Sequence, residues 1–333
     1  MNIADRNHAC PEVLCLGQAV VDCITRRPSD DPHGAGKRIA ESITLHVGGD
    51  AINEAAALTG MGRRAALICA VGADAAGRLI LEDAKREGVD TAGVKIVPGM
   101  STPVANIIVG QDGSRSSVSS QASRLPGYVP DLGPFAGDGT AFEEAGAALE
   151  IAGAAEGAEA SAGASLGRPR ILSLASLFRA PLDDPEVIMH LVTEARRQGM
   201  MVCADTKLPT FRRTGLQDIA AVLPMIDFLF PNEEEAMYYT GGTTAEAAAE
   251  VLLSMGIRHV VIKCGAKGCY AACEEGRFAL PAVPVRAVDT TGAGDNFVAG
   301  FLHALLDGHA FRACCEAGIQ AAARSIVHAG GHT

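Results

Sequence analysis

The chain has no tryptophan, and phenylalanine and tyrosine bring its aromatic content to only 4%. It is also short of basic residues, with a formal net charge of -11. General affinity for nucleic acid depends on a basic surface, so this balance argues against a nucleic-acid partner. It leaves room for a local basic pocket that binds a small anion.

Long apolar runs are absent as well. No segment approaches the roughly 20 apolar residues that a membrane-spanning helix needs. Residues 1–12 have no apolar core behind a basic start, so the sequence predicts no signal peptide. These features favour a cytoplasmic protein without a membrane partner.

The ten cysteines include no C-x-x-C pair. The closest group is Cys264, Cys269 and Cys273, and no histidines are spaced along the sequence to complete a zinc site with them. The cysteines are therefore interpreted as reduced, small core residues.

What the sequence does contain is a regular alternation. Continuous apolar runs such as AALICAVG alternate with helical patterns such as DAAGRLILEDAKREG and LQDIAAVL. This alternation predicts a parallel sheet covered by helices on both faces. Segments 20–46 and 102–119 break the pattern and predict a small accessory sheet. Segment 146–167, rich in alanine, glycine and glutamate, is interpreted as a surface helix or mobile loop without catalytic consequence.

The stretch DTTGAGD (Asp289–Asp295) separates a strand-like run from a helical pattern. Gly292 and Gly294 allow a ligand to approach the backbone closely, and the first N–H groups of the helix would form an anion hole. A carboxylate at position 295 would be unfavourable beside an anion unless it had a task. The natural task is to accept a proton from an alcohol that attacks a phosphoryl group. The alternative is an acid that only complements the helix dipole.

Three other polar clusters follow predicted strands: Asp22, GGDAIN (Gly48–Asn53) and PNEEEA (Pro231–Ala236). In an open parallel sheet, ligands bind beyond the carboxyl ends of the strands, so these clusters are expected to converge. Each has a structural alternative. GGDAIN is also compatible with a glycine turn before a helix, and the acids of NEEEA with an ordinary first helical turn.

Several motifs together resemble the ribokinase-like (PfkB) carbohydrate kinases over about residues 12–331. They are HVGGDAINEAAALTGMG, AVGADAAGR, FPNEEEA, IKCGAKGCY and DTTGAGDNFVAGF, in the order and at roughly the spacing of that family. The resemblance implies an α/β fold, a three-layer α/β/α sandwich with a mainly parallel central sheet and a small β-sheet lid. It also implies one kinase domain over residues 1–333, with lid strands from about 20–46 and 102–119.

The resemblance implies that the protein transfers a phosphoryl group from ATP to a sugar hydroxyl. Asp295 would be the catalytic base, and Gly292, Ala293 and Gly294 would supply the anion-hole amides. Further roles implied by the resemblance fall to residues elsewhere in the motifs. Those for the nucleotide and Mg²⁺ are Asn232, Glu235 (on Mg²⁺, through water or directly), Lys263, Gly265, Lys267 and Gly268. Those for the sugar are Asp22, Gly48, Gly49, Asp50 and Asn53, and those for a monovalent cation such as K⁺ are Asp289 and Thr291.

The chain also departs from the family pattern. Asp50 stands where ribokinase has lysine, Ser176 where a carboxylate often ends a strand, and Lys207 near the usual position of a phosphate-binding arginine. Ile319 or Gln320 stands where an asparagine often contacts adenine. Because carboxylates only accept hydrogen bonds, Asp22 and Asp50 together favour a neutral monosaccharide as acceptor, unless Lys207 or Arg115 reaches the pocket.

Two other functions stay open at this point. One is a nucleoside kinase of the same fold, which the low aromatic content disfavours because bases stack on aromatic rings. The other is a sugar-binding sensor without catalysis, which would have no use for the base at Asp295. The expected partners are a small sugar and ATP, with a homodimer formed through the lid as a further possibility of the family.

Overall fold

The computed structural model describes residues 10–29, 36, 38–112, 114–125, 127–135 and 167–327. Within this part of the chain, two sheets are formed. Their strands are β1 (Val13–Leu16), β2 (Val20–Arg26), β3 (Ser42–Gly48), β4 (Ala65–Gly72), β5 (Val94–Val97), β6 (Val104–Val109), β7 (Arg115–Ser119), β8 (Ile171–Leu177), β9 (Met201–Thr206), β10 (Phe228–Leu229), β11 (His259–Lys263), β12 (Cys269–Cys273) and β13 (Gly276–Leu280).

The central sheet has nine strands among the described residues, in the order β13-β12-β11-β10-β9-β8-β1-β4-β5. All neighbours from β11 to β5 are parallel, and β12 and β13 add an antiparallel hairpin at one edge. The residues of β4 are buried throughout, as the continuous apolar run AALICAVG predicts for a strand covered on both faces. The predicted mainly parallel sheet is confirmed.

Helices cover both faces of this sheet and give it three layers. Cys15 of β1 belongs to the core beneath α1, α2, α6 and α7, whereas Leu14 and Leu16 belong to the core beneath α3, α4 and α5. This alternation follows from the two-residue period of a strand. The helices are α1 (Asp50–Gly60), α2 (Ala75–Arg86), α3 (Pro185–Arg197), α4 (Glu233–Thr240), α5 (Ala245–Ser254), α6 (Ala293–Leu306) and α7 (Phe311–Ser325).

The second sheet has the order β3-β2-β6-β7 and is separate from the central one. Its register aligns His46, Asp22, Ala105 and Ser119 in one row across the four strands. The next row places Leu45, Cys23, Asn106 and Val118 side by side. Because successive side chains point to opposite faces, the two rows lie on opposite faces of the sheet. The predicted accessory sheet is therefore present.

Two features differ from the sequence expectations. LQDIAAVL was expected to form an α-helix, but Leu216–Met225 is a 3₁₀ segment with non-helical angles at Ile219. Pro224 lies near its end and cannot donate a helical hydrogen bond, so a regular α-helix could not continue through this position. The other difference is that β5 and the β12–β13 hairpin were not expected. The segment 146–166 lies outside the described residues.

The described helices were also compared with the length and hydropathy that a membrane span requires. None of them is both long enough and apolar enough to cross a bilayer.

Candidate active site

The side chains of the candidate site lie at the carboxyl ends of neighbouring strands. Asp205 is the penultimate residue of strand β9 and Lys207 directly follows the strand, while Lys263 ends β11. Because β9, β10 and β11 are parallel, these ends share one edge of the sheet. Helix α1 packs against α6 and brings Asn53 and Asp295 to the same edge.

Helix α6 begins at a glycine turn in which Gly292 adopts a left-handed conformation, with φ of 72°. Glycine reaches this conformation without the strain of a Cβ atom. The next N–H groups, those of Ala293 and Gly294, are among the first-turn groups that have no partner within the helix, and that of Ala293 donates over 3.3 Å to the carbonyl of Thr290 before it. A Cβ placed on Gly294 would lie 3.2 Å from Nζ of Lys263. An anion at this helix end would therefore meet both backbone amides and an ammonium group.

Asp295 lies in the first turn of α6 with only 5% of its surface exposed. Asn53 donates a hydrogen bond of 2.8 Å from Nδ2 to Oδ2 of Asp295. Burial, together with the negative charge of Asp50, raises the pKa of Asp295 to about 7, although Lys207 opposes the shift. A carboxylate with this pKa can both accept and release a proton near neutral pH.

Lys207 connects three of the carboxylates. Its Nζ lies 3.3 Å from Oδ1 of Asp50, 3.3 Å from Oδ2 of Asp205 and 3.8 Å from Oδ1 of Asp295. Burial opposes the charge of Lys207, but these acids together raise its pKa well above its usual range. Lys207 is thus a permanent cation beside the base.

Asp50 does not face the cavity as an unpaired carboxylate. It pairs with Lys207 and accepts a hydrogen bond of 2.8 Å from Oγ of Ser176. Although burial acts in the opposite direction, Lys207 and Ser176 lower the pKa of Asp50. The sequence interpretation of Asp22 and Asp50 as two similar hydroxyl acceptors is therefore incomplete, because Asp50 is paired with Lys207.

Asp205 is a buried acid that holds both lysines. Nζ of Lys263 donates to Oδ1 and Oδ2 of Asp205 at 2.7 Å each, and Lys207 contacts Oδ2. Only 1% of Asp205 is exposed. Asp205 thus holds the ammonium group of Lys263 in place beside the first turn of α6.

Glu54 is a second buried acid near the base. The thiol of Cys15 donates to Oε1 of Glu54 over 3.6 Å. Burial raises the pKa of Glu54 to about 8, and the charges of Asp295 and Asp205 act in the same direction. Glu54 is therefore mostly protonated at neutral pH.

Asn232 and Glu235 cap the N-terminus of α4. Asn232 Oδ1 accepts from the backbone N–H of Glu235, and Glu235 Oε2 accepts from the backbone N–H of Asn232, both at 2.9 Å. Oγ1 of Thr206 also donates to Oε2 of Glu235, at 3.1 Å. This reciprocal pair is a capping box. Glu235 therefore has a structural role in the first turn of the helix, as the alternative interpretation of the NEEEA acids expected. A role of Glu235 toward Mg²⁺ is compatible with it, since the carboxylate has further lone pairs.

The loop after β11 carries the residues predicted for the nucleotide. Gly265 and Lys267 form a short 3₁₀ turn, and Gly268 follows with φ of 98°. Lys263 points toward α6, whereas Lys267 is exposed and pairs with Glu233 at 3.0 Å. The two lysines of this motif thus face different surroundings.

Asp289 and Thr291 form a compact turn before α6. Both the backbone N–H and the hydroxyl of Thr291 donate to Oδ1 of Asp289, at 3.0 and 2.7 Å. Asp289 is buried, and its backbone N–H donates to the carbonyl of Ile326. The turn fixes the approach of the chain to the anion hole.

A cavity of about 210 Å³ lies next to these groups, between the small sheet, the start of α1 and the loops that follow β8 and β9. A Cβ on Gly48 would lie 2.7 Å from Oδ2 of Asp22, so that carboxylate rests against the glycine backbone. Burial raises the pKa of Asp22, and the charge of Asp50 adds to the effect. The lining includes Gln18, Asp22, Gly49, Asp50, Ser119 and Arg179.

The predicted residues thus fall into separate groups. Asp295 is hydrogen-bonded to Asn53, and Lys207 links it to Asp50. Lys263 lies beside this group at the N-terminus of α6. Lys267 points away, toward Glu233. Ile319 is buried in α7.

Sequence reasoning missed Asp205, Glu54 and Arg179. Asp205 could have been found because it is an acid at the end of an otherwise apolar strand, in the sequence CAD. Nothing in the sequence distinguished Glu54 from a solvent-facing helical glutamate, because its burial depends on the packing of α1 against the sheet.

The chain matches the family described as pfkB family carbohydrate kinase over residues 11–126 and 146–333. It is 29% identical to an uncharacterized sugar kinase of Archaeoglobus fulgidus, over 81% of this chain and 94% of the relative. It is also 29% identical to an ATP-dependent ribose-1-phosphate kinase of Halopiger xanaduensis, over 90% of this chain and 87% of the relative.

Solved structures agree on the fold. A ribokinase of Arabidopsis thaliana, complexed with ribose and ATP, superposes with a TM-score of 0.74 at 20% identity, covering 96% of this chain and 94% of that chain. The chain belongs to the PfkB family of carbohydrate kinases. It is therefore an enzyme, a sugar kinase, and both the predicted family and the predicted ribokinase-like sandwich are confirmed.

Proposed function

We propose that the protein transfers the γ-phosphoryl group of ATP to a hydroxyl of a small neutral monosaccharide, with Asp295 as the base. The observation that carries this proposal is the position of Asp295 in the first turn of α6, buried, hydrogen-bonded to Asn53 and with a pKa of about 7. A base with a pKa near the working pH is the most effective one for proton transfer.

In the proposed step, the sugar hydroxyl gives its proton to Asp295 and its oxygen forms a bond to the γ-phosphorus. The bond between that phosphorus and the β,γ-bridging oxygen breaks, and ADP leaves with the electron pair. The amides of Gly292, Ala293 and Gly294, together with Lys263, stabilise negative charge on the transferred group. Lys207 keeps the neighbouring acids paired, while the negative charge of Asp50 favours proton uptake by Asp295.

Mg²⁺ and the ATP phosphates would be held near Asn232 and Glu235, with Gly265, Lys267 and Gly268 along the nucleotide. Mg²⁺ prefers oxygen ligands and keeps several waters, which suits the buried carboxylate of Glu235 acting directly or through water. When bound, Mg²⁺ neutralises charge on the phosphates. K⁺ would bind at the turn of Asp289 and Thr291, so replacing K⁺ with a bulky organic cation at constant ionic strength should lower the rate.

The charges around the cavity support a neutral acceptor. Asp22, Asp50 and Asp183 contribute carboxylates to its lining, against the single guanidinium of Arg179. Lys207 is already shared by Asp50, Asp205 and Asp295, and Arg179 donates from Nε to the carbonyl of Leu208. Among the described lining residues the carboxylates outnumber the guanidinium, so an anionic acceptor would meet net negative charge, whereas a polyol can donate hydrogen bonds to the carboxylates.

The acceptor is best tested with a panel, since the relatives differ in the substrate that their names carry. ADP release should be measured with aldoses, ketoses, a sugar 1-phosphate, a sugar acid and a nucleoside. The proposal expects a neutral sugar to give the highest kcat/KM. Preference for the phosphorylated sugar, the acid or the nucleoside would overturn the assignment of the acceptor.

The role of Asp295 is tested separately by Asp295→Asn, which preserves size and removes the base. We expect kcat to fall by about 10²–10⁴-fold while KM for ATP changes little. The matched control is Asp307→Asn, at the opposite end of α6, where the carboxylate pairs with Arg63. An Asp295→Asn enzyme that kept a tenth of the activity would contradict the proposal, and sugar binding without any ADP release in the wild type would indicate a sensor.

A further inference from the structure

A group of possible metal ligands lies away from the active site, at the edge of the central sheet. A ring nitrogen of His259, the thiol of Cys273 and a carboxylate oxygen of Glu275 lie within 4.8 Å of one another. His259 and Cys273 are directly paired across the antiparallel strands β11 and β12, and Glu275 follows in the turn to β13. The spacing of cysteines along the chain does not predict this group, because the histidine comes from the neighbouring strand.

The surroundings hold the histidine in one orientation. Nδ1 of His259 lies 3.0 Å from the backbone carbonyl of Asp227, and the ring stacks on Phe228 with 4.5 Å between centroids. A hydrogen bond from Nδ1 to a carbonyl leaves Nε2 as the nitrogen with an available lone pair, which is the usual arrangement for a metal-binding histidine.

The other two donors differ in access to solvent. Cys273 is 6% exposed and is hydrogen-bonded to the Glu275 carboxylate, while Glu275 itself is exposed. The nearby cations are already bound, Arg258 to Asp227 and Arg277 to Glu250 and the carbonyl of Cys273. An ion could therefore enter from the side of Glu275 and replace the proton that Cys273 shares with it.

We propose that His259, Cys273 and Glu275 form a binding site for Zn²⁺, with water as the fourth ligand. One nitrogen, one thiolate and one carboxylate are the donor types that zinc takes in proteins. Bonds of about 2.0–2.3 Å in a tetrahedral site place ligand atoms roughly 3.5 Å apart. The three ligand atoms now lie within 4.8 Å of one another, so they must move about 1 Å closer to bind one ion. The exposed side chain of Glu275, in the turn, can make this movement.

The site is distinct from the catalytic centre. His259 begins β11 and Lys263 ends it, so four residue steps of about 3.3 Å place these two residues roughly 13 Å apart along the strand. A bound ion would join β11 to the β12–β13 hairpin, whose other end adjoins the Gly265–Lys267 turn. Its effect is to stabilise this edge of the sheet without taking part in phosphoryl transfer.

The test uses the full-length protein, freed of metal with a chelator and titrated with Co²⁺, which reports its ligands spectroscopically. We expect one equivalent to produce a thiolate-to-cobalt charge-transfer band that Zn²⁺ then abolishes. With Zn²⁺ at a hundredfold excess over its Kd, Tm should rise by on the order of 4 °C.

Cys273→Ser should remove the band, and Glu275→Gln should weaken Co²⁺ binding at least tenfold. The matched controls are Cys264→Ser and Glu274→Gln, neighbouring residues outside the cluster, which should leave both readouts unchanged. Circular dichroism checks that each variant is folded. Binding without a thiolate band, a band that persists in Cys273→Ser, or equal losses in the controls would overturn the site. None of these readouts depends on kinase activity.

Discussion

Asp295 and its immediate neighbours determine the pH range in which the enzyme can work. The carboxylate must be ionised to accept a proton, and its pKa is raised to about 7. We therefore expect kcat/KM for the sugar to fall tenfold per pH unit below pH 7, since this parameter reports the free enzyme.

The same residue has a second, sharper test. The charge of Asp50 raises the pKa of Asp295, so Asp50→Asn should move the acidic limb of the profile to lower pH, even if the maximal rate falls. Lys207, released from Asp50, would act in the same direction. If the acidic limb stays at the same pH in Asp50→Asn, it belongs to a group other than Asp295. The same conclusion follows if the residual activity of Asp295→Asn shows the same acidic limb.

Glu54 gives a residue-scale prediction about stability. Its pKa is about 8 in the folded protein against an ordinary value of 4.5, so the folded state binds a proton that the unfolded state has released between these pH values. Stability contributed by this group is therefore lost as pH rises from about 4.5 to 8, by up to about 1.4 kcal/mol per unit.

Glu54→Gln removes this titration while keeping size and neutrality. Thermal unfolding should show that the Tm of the variant, relative to wild type, increases as pH is raised from 5 to 8. Glu82→Gln, an exposed position on α2, is the control and should follow wild type. Parallel curves for Glu54→Gln and wild type would mean that Glu54 is already ionised in the fold.

At the scale of elements, α4 combines a helix cap with a predicted role toward Mg²⁺. Gln at position 235 can still accept the hydrogen bond from Asn232 N–H, because capping boxes use Glu or Gln alike. Glu235→Gln should therefore leave Tm almost unchanged and raise the Mg²⁺ concentration needed for half-maximal rate. Glu234→Gln, exposed in the same turn, is the control. An unchanged Mg²⁺ titration would leave Glu235 with the capping role alone.

The small sheet provides a second element-scale prediction. The row containing Asp22 and Ser119 lines the cavity, whereas the row containing Leu45 and Val118 lies on the other face. Asp22→Ala should raise KM for the sugar much more than KM for ATP, because it removes hydrogen bonds to one substrate only. Glu41→Ala, an exposed acid next to β3, is the control. Equal effects on both KM values would contradict the placement of Asp22.

At the scale of the whole molecule, we propose that the outward face of the small sheet forms the interface of a homodimer. Ile43, Leu45 and Val118 are 66%, 61% and 69% exposed, and the register places Leu45 and Val118 in one row. Apolar side chains that stay exposed together are typical of an interaction surface. We expect light scattering to give a dimer and Leu45→Glu to give a monomer, while Val251→Glu on α5 remains dimeric. A monomeric wild type at micromolar concentration would contradict this prediction.

The sequence by itself determined the fold class and the order of the site motifs. Buried parallel strands need continuous apolar runs, and an anion hole at a helix end needs glycines followed by a helical pattern, so AALICAVG and DTTGAGD carry their structure in local composition. The helix predicted at LQDIAAVL is present as a 3₁₀ segment interrupted at Ile219, a difference in helix type that its apolar pattern does not encode.

Only the tertiary structure decided which charges meet. Lys207 lies 157 positions from Asp50 in sequence (207 minus 50), yet 3.3 Å from it in space, and His259 reaches Cys273 through strand pairing. The pKa values of Asp295 and Glu54 depend on burial and on these neighbours, which no local pattern encodes. Electrostatic interactions act across space and not along the chain, so the fold must bring the residues together before their chemistry is defined.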